Sequence, residues 1–125
     1  MVVREKPYKR AAVDPFWWSL FAAGGTVAAF LVPIHILIHG IAVPAGLAPA
    51  SAASYERMRA LIQSPWVRLY LFILISLPLF HWAHRFRFLL EDLGLHRGRA
   101  ILAVLCYGAA VVVTVVTIWV LVRAG

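Results

Sequence analysis

The chain is poor in charge and in cysteine, which excludes several classes of protein. Charged residues make up only 14% of its 125 residues and hydrophobic residues 63%, whereas a soluble domain holds about a quarter and about half, respectively. The single cysteine, Cys106, excludes an intrachain disulfide and a cysteine-based metal cluster, so we expect no metal site. The composition predicts an integral membrane protein, in which Cys106 is a small packing residue.

Acidic residues are also scarce, and none lies within a long apolar run. The five are Glu5, Asp14, Glu56, Glu91 and Asp92. Coupled transporters usually place a carboxylate within a membrane span, so a small membrane transporter that works as an oligomer is the less favoured hypothesis. The net charge of +7 does not indicate nucleic-acid binding either, because the basic residues flank the apolar runs and form no basic face.

Three long apolar runs account for most of the chain, at about residues 16–43, 65–88 and 100–122. Each exceeds the roughly 20 residues that cross a hydrocarbon core, and the first is too long for the core of a secretory leader. Between the first two runs, the stretch from Ser51 to Gln63 has the amphipathic pattern of a helix lying on the membrane surface. The sequence therefore predicts an all-α membrane protein with a tail at residues 1–15 and a three-helix domain at residues 16–125.

Lysine and arginine are distributed unequally between the two sides that three spans would create. The N-terminal tail and the link between the second and third spans carry eight of them, and the opposite side carries four. By the positive-inside rule, we expect a cytoplasmic N-terminus and an external C-terminus.

The aromatic start of the first span and the basic end of the second then share a membrane depth. The residues concerned are Phe16, Trp17, Trp18 and Phe21 in the first span and His81, Trp82, His84 and Arg85 in the second. A histidine that exchanges protons near neutral pH, an arginine that holds a carbonyl and flat aromatic walls match the needs of a quinone head group. Taken singly, the aromatic residues also fit an interfacial belt, and the arginines fit anchors for lipid headgroups.

Four short motifs in this order carry a family resemblance. They are FWWSLFAAGG at residues 16–25, SYER at 54–57, LPL at 77–79 followed by HR at 84–85, and DL at 92–93. Together they resemble the D subunit of bacterial quinol:fumarate reductase, the smaller hydrophobic anchor of that complex. The resemblance extends from about residue 15 into the third span.

The resemblance implies a membrane anchor that is not catalytic on its own. In such a complex, the small anchor pairs with a second three-helix anchor, and the two hold an iron–sulfur protein and a flavoprotein with covalent FAD on the cytoplasmic face of the bacterial inner membrane. Electrons from menaquinol pass through the iron–sulfur clusters to fumarate in anaerobic respiration. FAD and the clusters are thus expected only in the partner subunits, and menaquinone at the interface with them.

The resemblance also assigns residues to a quinone site. In the family, the small anchor contributes a tryptophan and a phenylalanine from its first helix and a His-Arg pair from its second, which fall on Trp18, Phe21, His84 and Arg85 in this sequence. Where the family pattern has glycine after the phenylalanine, this chain has Ala22, which narrows the expected pocket. The alternative is a purely structural tether, in which the partner subunits handle the quinone alone.

Two further histidines lie near the opposite end of the first span. His35 and His39 are one helical turn apart, and His35 is roughly 28 Å along the helix from Phe16 at about 1.5 Å per residue. Three roles stay open for this pair: a haem b ligand completed by the partner anchor, a second quinone or proton-path site, and hydrogen-bonded packing. Packing is the favoured interpretation and haem the least favoured.

Overall fold

The computed structural model describes residues 14–125, apart from the side chains of Asp14 and Trp17. Throughout this range the regular structure is helical. The elements are α1 (Asp14–His35) continued by a π-helix (Ile36–Ala42), a 3₁₀ turn (Ala50–Ala53), α2 (Tyr55–Gln63), α3 (Pro65–Asp92) and α4 (Arg99–Ala124). The predicted N-terminal tail, residues 1–15, lies outside the described residues except for its last two positions.

Three of these helices are long and apolar enough to cross a membrane. They cover Trp18–Ala42, Pro65–Asp92 and Arg99–Ala124, with mean hydropathies of 2.0, 1.5 and 2.6. Each is longer than the roughly 20 residues that a hydrocarbon core requires. The prediction of an all-α, multi-pass membrane protein is therefore confirmed.

Helix α3 extends past the end of its apolar run, into the polar residues that follow Phe88. The second apolar run is expected to end at Phe88, but α3 continues to Asp92. The reason is an ion pair one helical turn apart, in which Arg87 Nε donates to Glu91 Oε1 at 3.0 Å. Such i,i+4 pairs stabilise a helix, so the charged residues prolong α3 instead of ending it.

The surface helix α2 is shorter than the sequence pattern predicts. Ser54 has an extended backbone and its side chain accepts a hydrogen bond from the backbone N–H of Arg57 at 3.4 Å, which caps the helix. Side-chain capping of this kind defines a helix N-terminus. The predicted stretch from Ser51 to Gln63 is therefore divided into a 3₁₀ turn and α2.

Helix α3 is central and packs against α1 on one side and α4 on the other. On the α1 side, a Cβ at Gly24 would overlap the Leu77 carbonyl oxygen, so only glycine allows this approach. On the α4 side, the buried core consists of the small residues Ala83, Cys106 and Ala110. Small residues let membrane helices approach closely, and the burial of Cys106 confirms its interpretation as a packing residue.

Candidate functional site

A cavity of about 680 Å³ lies at the end of the bundle where α1 begins and α3 ends. Its lining comes from all three long helices. The lining residues are Trp18, Leu20 and Phe21 of α1, Phe80, His84, Arg85 and Phe88 of α3, and Tyr107 of α4. The structure therefore brings together Trp18, Phe21, His84 and Arg85, the four residues that the family resemblance assigns to one site.

The walls of the cavity are largely aromatic rings at right or steep angles to one another. The Trp18 and Phe21 ring centroids are 5.6 Å apart at 89°, because a spacing of three residues places both on one face of α1. His84 lies across from them, 4.7 Å from Phe21 and 4.9 Å from Phe88 between ring centroids. The volume is typical of pockets that take a small organic molecule, about 300–1,000 Å³.

His84 is held by a tyrosine of the neighbouring helix. Its Nδ1 is 2.6 Å from the Tyr107 hydroxyl, a hydrogen bond between partly buried groups. Nε2 makes no hydrogen bond to any group that the structure describes, so this nitrogen is open to exchange a proton with a molecule in the cavity. The hydrogen bond at Nδ1 therefore orients the side chain, and Nε2 is available to accept or donate a proton.

Tyr107 is a site residue that the sequence reasoning missed. A signal for it was present, because His84 lies eight residues before the end of α3 and Tyr107 eight residues after the start of α4. Two antiparallel helices joined by a short turn bring such positions to one depth, roughly 12 Å from the turn at about 1.5 Å per residue. A tyrosine within an otherwise apolar run also needs a partner for its hydroxyl.

Arg85 lies at the mouth of the cavity. Its side chain is exposed, and it lines both the main cavity and a second one of about 330 Å³. It makes no hydrogen bond or ion pair to any other residue that the structure describes. Its guanidinium donors are therefore open to an oxygen atom of a bound molecule.

Two residues of α3 that share this depth, His81 and Trp82, do not line the main cavity. His81 Nδ1 donates a hydrogen bond to the Phe21 carbonyl at 2.9 Å, and its ring stacks on the Phe21 ring at 4.3 Å. Gly25 leaves room for it, since a Cβ there would lie 2.7 Å from His81 Cε1. Trp82 instead stacks on Phe86 at 4.8 Å and lines the second cavity. His81 thus supports the aromatic wall from behind, and Trp82 belongs to another face of α3.

A buried carboxylate lies beside the cavity, close to the end of α3. The Glu91 side chain is only 3% exposed and accepts hydrogen bonds from Arg87 Nε at 3.0 Å and from Arg99 Nε at 2.8 Å. The Arg87 guanidinium carbon lies 5.2 Å from the Phe88 ring centroid and 5.9 Å from that of Tyr107. In the sequence, Arg87 and Arg99 count only as charges flanking the spans, and this pairing is not predicted; the i,i+4 spacing of Arg87 and Glu91 was the signal for it.

The two remaining predicted residues lie far from the cavity. His35 is roughly 21 Å from Phe21 along α1 at about 1.5 Å per residue. Its Nε2 is 2.6 Å from the Tyr70 hydroxyl of α3, and its ring stacks on that of His39 with centroids 5.7 Å apart. The pair is therefore a separate feature of the opposite end of the bundle.

Comparison with known proteins identifies the family. The family model for the D subunit of fumarate reductase matches residues 8–122. The chain belongs to this fumarate reductase D-subunit family. The resemblance predicted from the four short motifs is thereby confirmed.

Members of the family from different bacteria are similarly close to this chain. A fumarate reductase D subunit of Mycobacterium tuberculosis is 40% identical over 115 residues, which cover 90% of each chain. That of Photobacterium profundum is 39% identical over 105 residues, 84% of this chain and 87% of the relative. That of Vibrio parahaemolyticus is 41% identical over 105 residues, 84% and 83% of the two chains. The similarity therefore extends over most of each chain and is not confined to one helix.

Proposed function

We propose that this chain is a membrane anchor of a quinol:fumarate reductase and that its cavity takes the head group of the quinol. In this role it pairs with the second small anchor, the C subunit, and attaches the iron–sulfur protein and the flavoprotein to the bacterial inner membrane. The observation that carries the proposal is the cavity itself. It combines His84 and Arg85 with the aromatic walls of Trp18 and Phe21 in a chain of the D-subunit family.

The chemistry of the cavity matches quinol oxidation. A quinol that becomes a quinone releases two electrons and two protons, so its site needs a group that accepts protons. His84 Nε2 takes the two quinol protons one after the other and passes each to water at this end of the bundle, and Arg85 donates a hydrogen bond to a quinol oxygen without titrating. The aromatic rings cover the apolar faces of the head group. Iron–sulfur clusters and FAD in the partner subunits would accept the two electrons.

We also propose that the cavity faces the cytoplasmic side. The basis is the excess of lysine and arginine in the N-terminal tail and around the turn from the end of α3 to the start of α4, eight against four at the opposite end. This orientation places the quinol beside an iron–sulfur protein docked from the cytoplasm. The C-terminus is then external. A reporter enzyme that is active only outside the cytoplasm is therefore expected to be active when it is fused after Gly125.

For His35 and His39 we propose a packing role. The hydrogen bond between His35 Nε2 and the Tyr70 hydroxyl joins α1 to α3. A haem iron bound by this nitrogen would have to displace the tyrosine. We therefore expect no haem b absorption band in the reduced-minus-oxidised visible spectrum of the purified complex, and such a band would assign the pair to a haem site.

Tyr107→Phe is expected to lower quinol-linked turnover by about tenfold. The change removes only the hydroxyl that bonds His84 Nδ1, so the ring of His84 is free to turn away from the quinol. Loss of one such hydrogen bond costs about 0.5–1.5 kcal/mol, which corresponds to up to about tenfold in rate. Steady-state quinol oxidation by the assembled complex measures the effect. Tyr55→Phe, in α2 at the other end of the bundle, is the matched control and is expected to have no effect.

The first test of the proposed function is purification through a tag on this chain in mild detergent. A flavoprotein, an iron–sulfur protein and a second small hydrophobic chain are expected to co-purify. Reduced-minus-oxidised spectra of the same sample test for haem. If the chain is recovered alone as a stable homo-oligomer, the anchor proposal is wrong and the oligomeric transporter alternative is favoured.

A further inference from the structure

We propose that Glu91 is a positioning residue for His84, acting through Arg87 and Tyr107. The proposal rests on the proposed function, because it concerns the same cavity. Glu91 does not line this cavity. Its influence is passed through a chain of contacts that begins at a buried carboxylate on α3 and ends at the histidine that faces the quinol.

The first step is the pairing of the buried Glu91 carboxylate with two arginines. A carboxylate with 3% exposure is costly unless it is paired and hydrogen-bonded. Glu91 meets this requirement with Arg87 on its own helix and Arg99 at the start of α4. Arg99 is 63% exposed, whereas Arg87 is only 24% exposed. The carboxylate therefore joins the ends of α3 and α4 and draws Arg87 into the protein.

The second step is the position of the Arg87 side chain. Its guanidinium lies against the rings of Phe88 and Tyr107, both of which line the cavity. Glu91 is the only carboxylate paired with Arg87 among the residues that the structure describes. Without this anchor, a long side chain near the membrane surface gains freedom by turning toward the headgroups. Phe88 and Tyr107 then lose the group that supports them from behind.

The third step is the link from Tyr107 to His84. The Tyr107 hydroxyl contacts His84 Nδ1 at 2.6 Å, and this bond keeps Nε2 directed at the cavity. A partner on the far ring nitrogen commonly fixes the orientation and tautomer of a functional histidine. Movement of Tyr107 therefore misaligns the proton acceptor without removing it. The expected signature is a lower rate of the chemical step with nearly unchanged binding of quinol.

A double-mutant cycle in the assembled complex tests the proposal. The variants are Glu91→Gln, Tyr107→Phe and the double variant, with His84→Ala as the reference for loss of the proton acceptor. Glu91→Gln is expected to lower quinol-linked kcat by about tenfold, the size of effect that loss of a histidine's orienting partner has in other sites. We expect KM for quinol to stay within about twofold and fumarate reduction by an artificial dye donor to be unchanged.

The double variant shows whether Glu91 acts through Tyr107 or independently of it. If Glu91 acts through Tyr107, the quinol-linked kcat of the double variant is expected to be within about twofold of that of the less active single variant. If the two substitutions acted independently, their effects would multiply and kcat would fall by about hundredfold. That outcome would overturn the proposal. Glu56→Gln is the matched control, because it makes the same substitution at an exposed position of α2 at the other end of the bundle. It is expected to behave as the unmodified complex.

Arg87→Lys provides a second test if Glu91→Gln prevents assembly. Lysine keeps a cation to pair with Glu91 but lacks the planar guanidinium that lies on the Tyr107 ring, so a similar fall in kcat is expected. If kcat is unchanged in either variant while His84→Ala is impaired, the proposed role of Glu91 is wrong and the proposed function still stands. Normal quinol oxidation by His84→Ala would overturn the proposed function as well.

Discussion

Complexes that carry His84→Ala or Arg85→Ala are expected to lose most of their quinol-linked fumarate reduction and to keep the activity driven by an artificial dye donor. His84→Ala removes the proposed proton acceptor, which lines the cavity, and general acid–base groups contribute about 10²–10⁴-fold in rate. Arg85→Ala removes charge-assisted hydrogen bonds worth about 1.5–3 kcal/mol, or roughly 10–100-fold. In the proposed complex the dye bypasses the quinol cavity, so the partner subunits are expected to continue to reduce fumarate. Parallel assays on the same purified complex measure both activities.

The turn between α3 and α4 supplies matched controls for these two variants. His96→Ala and Arg97→Ala remove the same kinds of side chain at exposed positions that do not line the cavity. Both controls are expected to retain quinol-linked activity. If the two activities fall together in a variant, the complex has failed to assemble. If assembled His84→Ala and Arg85→Ala complexes oxidise quinol normally, the chain is a structural tether and the partner subunits handle the quinol.

Gly24→Ala is expected to push α1 away from α3 and to destabilise the chain. The added Cβ would overlap the Leu77 carbonyl oxygen, and a backbone atom in the middle of a helix cannot rotate aside. Overpacking of a well-packed core costs about 1–3 kcal/mol, and we expect about 3 kcal/mol here because the Cβ is fixed to the backbone of α1 and meets the backbone of α3. The thermal transition of the detergent-solubilised chain, followed by circular dichroism, measures the loss.

Two other glycines show whether this effect is specific. A Cβ at Gly108 of α4 would meet no atom within 4 Å, so Gly108→Ala is expected to be neutral or stabilising by up to about 1 kcal/mol through helix propensity. Gly25→Ala meets the His81 ring, a side chain that is able to rotate, and an intermediate loss is expected. If Gly24→Ala melts at the same temperature as Gly108→Ala, α1 and α3 do not pack at the distance described.

The extent to which the site could be predicted differs from residue to residue. Trp18 and Phe21, together with His84 and Arg85, could be grouped because membrane depth follows from position along the chain. Depth does not specify the direction in which a side chain points around its helix. His81 shares this depth with Trp82, yet one supports the aromatic wall from behind and the other lies on a different face of α3.

The amino-acid sequence by itself determined the three apolar helices, the depth of each polar residue and the family of the chain, because each of these depends on composition and order. Only the tertiary structure decided that α3 is central, that Tyr107 bonds His84 and that Glu91 joins α3 to α4. The physical reason lies in the membrane. Lipid is as apolar as the interior of the bundle, so a spanning helix is hydrophobic on every side and its pattern does not mark the buried face. Close contacts such as that of Gly24 with Leu77 set the rotation of each helix, and they exist only in the folded chain.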